Sequence, residues 1–183
     1  MTLSIQMASS CRSGSVSFLL GLIFLLGLFG GLDISVAAQL SLSKGDQVEI
    51  PAIRLISGEE LPAGHYEGRP VVISYWASWC PYCKRQNERL QDFYPRARAK
   101  GLEILTINVD EDQEAALSYL EAVQPNFPSA FETEHIRAVF GKATFIPRVV
   151  VLDGQGTVVE VIPGEMTEKD LFDLIKYAPL GER

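Results

Sequence analysis

The feature that most constrains this chain is a pair of apolar runs on either side of a helix-periodic stretch. Pro70 to Ala77 (PVVISYWA) and Leu102 to Val109 (LEILTINV) are rich in β-branched and aromatic residues, as strands buried on both faces are. Between them, from Pro81 to Lys100, Gln86, Leu90, Phe93 and Ala97 recur at steps of four, three and four, and Gly101 stops the pattern. That is a helix with one inward stripe. Two neighbouring strands joined by one helix form a βαβ unit, parallel and with a right-handed crossover. The class is α/β.

The rest of the chain extends this unit. Val48 to Glu67 alternates weakly (Val48, Ile50, Ile53, Leu55) around Ser57-Gly58-Glu59, which predicts a hairpin-like N-terminal extension. Asp112 to Gln124 reads as a second amphipathic helix, with Ala116, Tyr119, Leu120 and Val123 on one face and Pro125-Asn126-Phe127-Pro128 ending it. His135 to Phe140 is a short helical turn closed by Gly141. Arg148 to Leu152 and Thr157 to Ile162, joined by Asp153-Gly154-Gln155-Gly156, predict an antiparallel hairpin. Thr167 caps a final helix, with Asp170 three residues on and Leu171, Leu174 and Ile175 facing inward. The order is βαβα, then ββα.

The N-terminus reads as a targeting segment. Met1 to Ser15 carries Arg12 and no acid, Val16 to Leu32 is almost wholly apolar, and Val36-Ala37-Ala38 offers the small residues a signal peptidase reads. Residues 1–38 are thus a cleaved signal peptide or a retained membrane anchor. Either way the domain is exported, and an uncleaved leader would be its sole tie to the membrane. Residues 39–47 read as a polar tether and residues 48–183 as the domain. The formal charge of −7 leaves nucleic-acid binding dependent on a local basic patch. Lys84–Arg85 and Arg96–Arg98–Lys100 lie in the helical stretch as solvated face, so that class is excluded.

Of three cysteines, Cys11 lies in the leader. A mature chain starting at Gln39 keeps only Cys80 and Cys83, in Trp79-Cys80-Pro81-Tyr82-Cys83. A structural disulfide gains with the length of loop it closes. Two intervening residues leave little to gain, so the pair is chemical. C-x-x-C beside a βαβ pattern is a redox signature. Pro81 suits the first helical position, where a missing N–H costs nothing. Cys80 then sits at the helix N-terminus, where free N–H groups and the dipole favour its thiolate. Cys83, one turn in, is within bonding reach and less exposed. Cys80 is expected to exchange with substrate and Cys83 to resolve the mixed disulfide. No bound cofactor is needed.

The stretch Ile73-Ser-Tyr-Trp-Ala-Ser-Trp-Cys-Pro-Tyr-Cys83 resembles thioredoxin and, more closely, the exported TlpA/ResA-type thioredoxin-like proteins. Asn108-Val109-Asp110, Ile146-Pro147 and Gly164-Glu165-Met166-Thr167 carry the likeness on, so that it spans about Ile50 to Tyr177. The resemblance implies a thioredoxin fold, a central mixed sheet flanked by helices, and a protein thiol–disulfide oxidoreductase. It implies that Pro147 is a cis-proline facing the cysteine pair, with Ile146 and Trp79 beside it as substrate-binding residues. It favours a reductant for exported protein thiols and disulfides, in cytochrome c maturation or a similar task. Such a reductant would be recharged by a DsbD/CcdA-type membrane partner, in the periplasm or on the outer face of a bacterial inner membrane.

The chain departs from that pattern in ways that bear on the site. Ser74 stands where thioredoxin has a buried aspartate, and Gln86 where the ResA-type proteins have a glutamate. Neither can titrate in the relevant range, so oxidation or isomerisation stays the alternative to reduction. Glu88 replaces a proline common in relatives, which predicts a straighter helix. Pro81 and Tyr82 between the cysteines are further candidate modulators. Arg148, after Pro147, either faces the site, where its charge would favour the Cys80 thiolate, or is a surface arginine at a strand end. The rival of a different class is a metal module, either zinc held by Cys80, Cys83, His65 and His135 or copper held by the thiolate pair. The histidines are isolated in the sequence, and Lys84 after the second cysteine excludes haem attachment.

Overall fold

Residues 42–179 are described by the computed structural model; the leader reading, with Cys11 and the cut after Ala38, falls outside them. Among the described residues no helix is long and apolar enough to cross a membrane.

Strand β3 (Val71–Trp76) is buried at all six positions, as its unbroken apolar run demands. Helix α1 (Pro81–Arg98) follows and then β4 (Glu103–Asn108), which pairs parallel with β3 from Val71↔Glu103 to Trp76↔Asn108. Gln86, Leu90, Phe93 and Ala97 are all buried. Gly101 takes φ +78°, the left-handed turn that ends the helix region. No proline stands at 88, but Pro95 lies inside α1. Lacking an N–H, it leaves the Gln91 carbonyl without its helical donor, and Asn126 Nδ2 donates to that carbonyl at 2.9 Å.

Beyond β4 come α2 (Gln113–Val123), β5 (Ser129–Phe131) and α3 (Glu134–Phe140). β5 is a strand that the sequence did not announce, and it pairs parallel with β4. β6 (Arg148–Leu152) and β7 (Val158–Pro163) form the expected hairpin, with β6 antiparallel to β3. The sheet order is β5-β4-β3-β6-β7, a mixed sheet. α4 (Glu168–Asp173) opens on a capping box between Thr167 and Asp170, then tightens into a 3-10 turn, Leu174–Tyr177. This is the thioredoxin fold.

The N-terminal extension is a small hairpin of β1 (Ile53–Arg54) and β2 (Glu60–Leu61), turned at Gly58. Leu55 bridges to Ala130, so the hairpin lies against the edge strand β5. The segment read as a tether is, from Leu42 on, part of the domain. Gly45 N–H donates to Val158 O at 2.8 Å, Val158 N–H to Asp46 O at 2.8 Å, and Val48 N–H to Gly156 O at 2.9 Å. Gly156 is glycine for that reason: φ is +81°, and a Cβ would run into the Val48 carbonyl.

Candidate active site

β3 ends at Trp76 and α1 starts at Pro81, so the loop between them and the first turn of α1 bring Cys80 and Cys83 to the C-terminal end of the sheet's central strand. Cys80 is the N-cap residue of α1, with extended backbone (φ −89°, ψ 110°), and its Sγ accepts from Cys83 N–H at 3.2 Å. Pro81 takes the first helical turn, which holds no acidic residue. The cysteines form a disulfide with Cα atoms 5.3 Å apart. Cys80 is 3% exposed and Cys83 fully buried. Both pack with Trp76, Ala77 and Ala116, and Ile146 packs against the same group.

The loop before Cys80 is tied from below. Asp110, just past β4, accepts from Ser78 N–H at 2.8 Å and Ser78 Oγ at 3.0 Å, and Asn108 Nδ2 donates to it at 2.6 Å. Sequence reasoning noted Asn108-Val109-Asp110 without seeing this task. Across from the loop, the Ile146–Pro147 peptide bond is cis, and Pro147 O accepts from Gly164 N–H at 2.9 Å. Trp79 and Tyr82 flank the disulfide at 68% and 55% exposure. The Arg85 guanidinium lies 4.8 Å above the Tyr82 ring.

The two positions where relatives carry acids meet each other. Gln86 Nε2 donates to Ser74 Oγ at 3.0 Å, and Gln86 Oε1 accepts from Met166 N–H at 2.9 Å. All this is buried, and the amide's orientation follows from the partners: a backbone N–H can only meet Oε1. The neighbouring Glu165 is gripped by Arg85 and by Arg89, whose Nη1 also reaches Met166 O at 2.8 Å.

Arg148 corrects the sequence reading. It is not a surface arginine but 5% exposed. It pairs in register with Tyr75, whose side chain points to the sheet face opposite Ser74 and α1. Its guanidinium lies 5.4 Å from the Tyr75 ring centre and Nη2 donates to Phe140 O, the last residue of α3, at 3.0 Å. Burial pushes the Tyr75 hydroxyl well above its ordinary pKa, with Arg148 opposing and Glu132 reinforcing. His65 sits against Tyr66 by its ring edge. Among the described residues no three His, Cys, Asp or Glu side chains are grouped to hold a metal.

A thioredoxin fold with a C-x-x-C disulfide at the start of α1, and with Ile146 of a cis Ile–Pro bond packed against it, defines a thiol–disulfide oxidoreductase. The chain belongs to the Redoxin family, matched over residues 44–175. It is 26% identical over 146 residues to the thiol-disulfide oxidoreductase ResA of Bacillus subtilis (strain 168), covering 80% of this chain and 82% of that protein. ResA of Bacillus cereus (strain ATCC 10987 / NRS 248) is likewise 26% identical, over 161 residues, with 84% and 92% covered. Among solved structures, a Chlorobium tepidum protein assigned as a thiol:disulfide interchange protein DsbE superposes with TM-score 0.65 at 26% identity, covering 77% of this chain and 100% of that one. StoA of Bacillus subtilis gives TM-score 0.61 at 20% identity, with 73% and 98% covered, a likeness of fold. The enzyme is a thiol–disulfide oxidoreductase of the ResA and DsbE type.

Proposed function

We propose that this enzyme is an exported reductant of protein disulfides. The supporting observation is the position of Cys80: a helix N-cap, followed by a first turn without acids, where helix N–H groups favour a thiolate. Reduced Cys80 attacks a substrate disulfide, forming a mixed disulfide and releasing one substrate thiol. Cys83 then attacks Cys80, the second substrate thiol leaves, and the Cys80–Cys83 disulfide remains. Two electrons pass from the enzyme's thiols to the substrate. Exposed Trp79 and Tyr82, with Ile146 and Pro147 across from them, form the docking face for an extended substrate segment. Substrates are exported proteins such as apocytochrome c. A DsbD/CcdA-type membrane carrier restores the dithiol, in the periplasm or on the outer face of a bacterial inner membrane.

Two measurements test this. Cys83→Ser is expected to accumulate mixed disulfides with substrate and Cys80→Ser to accumulate none; equal trapping by both, or trapping by Cys80→Ser alone, would overturn the order of attack. A redox titration should place the pair nearer the thioredoxin value of about −270 mV than the DsbA value of about −120 mV. A potential at the oxidising end would make the enzyme an oxidant.

A further inference from the structure

The missing acids leave open what favours the Cys83 thiolate, and Gln86 does not answer: both ends of its amide are engaged, with Ser74 and Met166. The next residue answers differently. Asn87 is 2% exposed, yet neither Nδ2 nor Oδ1 has a hydrogen-bond partner in the protein. Trp76 Nε1 is buried and unpartnered in the same way. A buried polar group left without a partner is costly, so these three atoms call for a further hydrogen-bonding group.

That spot adjoins Cys83. Asn87 follows Cys83 by four residues in α1, so the two side chains lie on one face with Cβ atoms about 5–6 Å apart. Trp76 packs in the group that contains Cys83. Tyr119 of α2 closes the space: its ring lies 5.2 Å from that of Trp76. Burial raises the Tyr119 pKa and the Asn87 amide works against the rise, although no hydrogen bond of ordinary geometry joins them. Tyr119 is only half-buried.

We propose that Asn87 and Trp76 hold a water that donates a hydrogen bond to the resolving thiolate, with Asn87 as its positioning residue. The capacities match. Two donors, Nδ2–H and Nε1–H, fill the water's two lone pairs, and Oδ1 takes one of its hydrogens. The remaining O–H is free for the Cys83 sulfur. During resolution Cys83 loses its proton to solvent, the water's O–H hydrogen-bonds to the resulting thiolate, and the thiolate's electron pair forms the bond to Cys80. The pair of the broken Cys80–substrate bond leaves with the substrate sulfur, which takes a proton from solvent. No outside oxidant or reductant enters. The titratable and charged groups around Tyr119 and Asn87 are Lys84 and Glu88 on α1 and Tyr119 itself on α2.

This inference rests on the proposed order of attack, and the experiment separates the two. In the purified, reduced full chain, formation of the mixed disulfide and its resolution are timed by stopped flow across pH, with the unfolding midpoint measured in urea. Asn87→Leu should slow resolution about tenfold or more and move its rise to higher pH, leaving mixed-disulfide formation unchanged and the midpoint not lowered. Asn87→Ser, which offers a hydroxyl in place of the amide and leaves room for water, should recover most of the rate. Unchanged resolution in Asn87→Leu overturns the proposal alone, as does equal slowing of both steps with a lowered midpoint, the mark of a merely structural residue. Failure of Cys83→Ser to trap substrate overturns both readings.

Discussion

Gln86 and Asn87 are adjacent amides on α1, both buried, and they meet opposite circumstances. Gln86 is stitched to β3 through Ser74 and to the strap before α4 through Met166. Asn87 faces α2 with no protein partner for either polar atom. A satisfied buried network fixes a structure, whereas an unsatisfied one is tolerated where chemistry needs it. One side of the helix holds the site in place, and the other is free to work.

The largest expected effect breaks or upholds this contrast directly. Gln86→Leu strands Ser74 Oγ and the Met166 N–H, and should cost about 2–4 kcal/mol of stability. Asn87→Leu breaks no hydrogen bond to another protein group and should cost little. Urea unfolding of the two variants beside the parent measures both. Equal losses would mean that Asn87 is as structural as Gln86.

Much of this could be read in advance, and what could not has physical causes. The strands β3, β4 and β6, helix α1 and the cysteine pair follow from periodicity and spacing, because each is a local pattern with a long-range consequence. β5 is three residues long and begins with Ser129; it exists because β4 and the hairpin at Leu55 offer it partners. The stretch from Leu42 to Gln47 is polar and reads as a tether until the turn at Gly156 gives its backbone something to bond. Arg148 looks solvated in sequence, but the buried carbonyl of Phe140 at the end of α3 gives its guanidinium an acceptor inside. At the site, Ser74 and Gln86 were legible as departures, but not as partners of each other. Asn87 carried a signal that went unused, a polar residue on the same helical face as Cys83 and Leu90.

An intermediate effect sharpens the contrast. A glutamate at 86 could accept from both Met166 N–H and the Ser74 hydroxyl, so Gln86→Glu keeps the network and adds only charge. A new anion near the sulfurs disfavours another, and the apparent thiol pKa should rise, by about one unit or less. An acid-side step should also enter the rate profile, shared between the coupled groups. Thiolate absorbance and insulin-type disulfide reduction across pH are the readouts. Superimposed curves would show that the stitched side of α1 is electrically remote from the sulfurs.

The smallest expected effect concerns the outer layer of the stitched side. Glu165 takes Nε and Nη2 of Arg85 at 3.0 and 2.6 Å and Nη1 of Arg89 at 2.6 Å. The bond from Arg85 lowers the Glu165 pKa, partial burial opposes it, and the bond from Arg89 adds to the lowering. A folded-state pKa below the unfolded one gives stability that is complete above the ordinary glutamate range, about 4.3, and lost as pH falls through the folded value. Glu165→Gln should therefore weaken the protein at pH 7 and not below the folded-state pKa. Water and salt screen so exposed a clamp, so the loss should be a fraction of that in Gln86→Leu and shrink further in high salt. Urea midpoints at pH 7 in low and high salt, and again in acid, decide the matter. A loss as large as that of Gln86→Leu, or one that persists in acid, would mean that Glu165 pins Met166 and Gln86 by geometry rather than by charge.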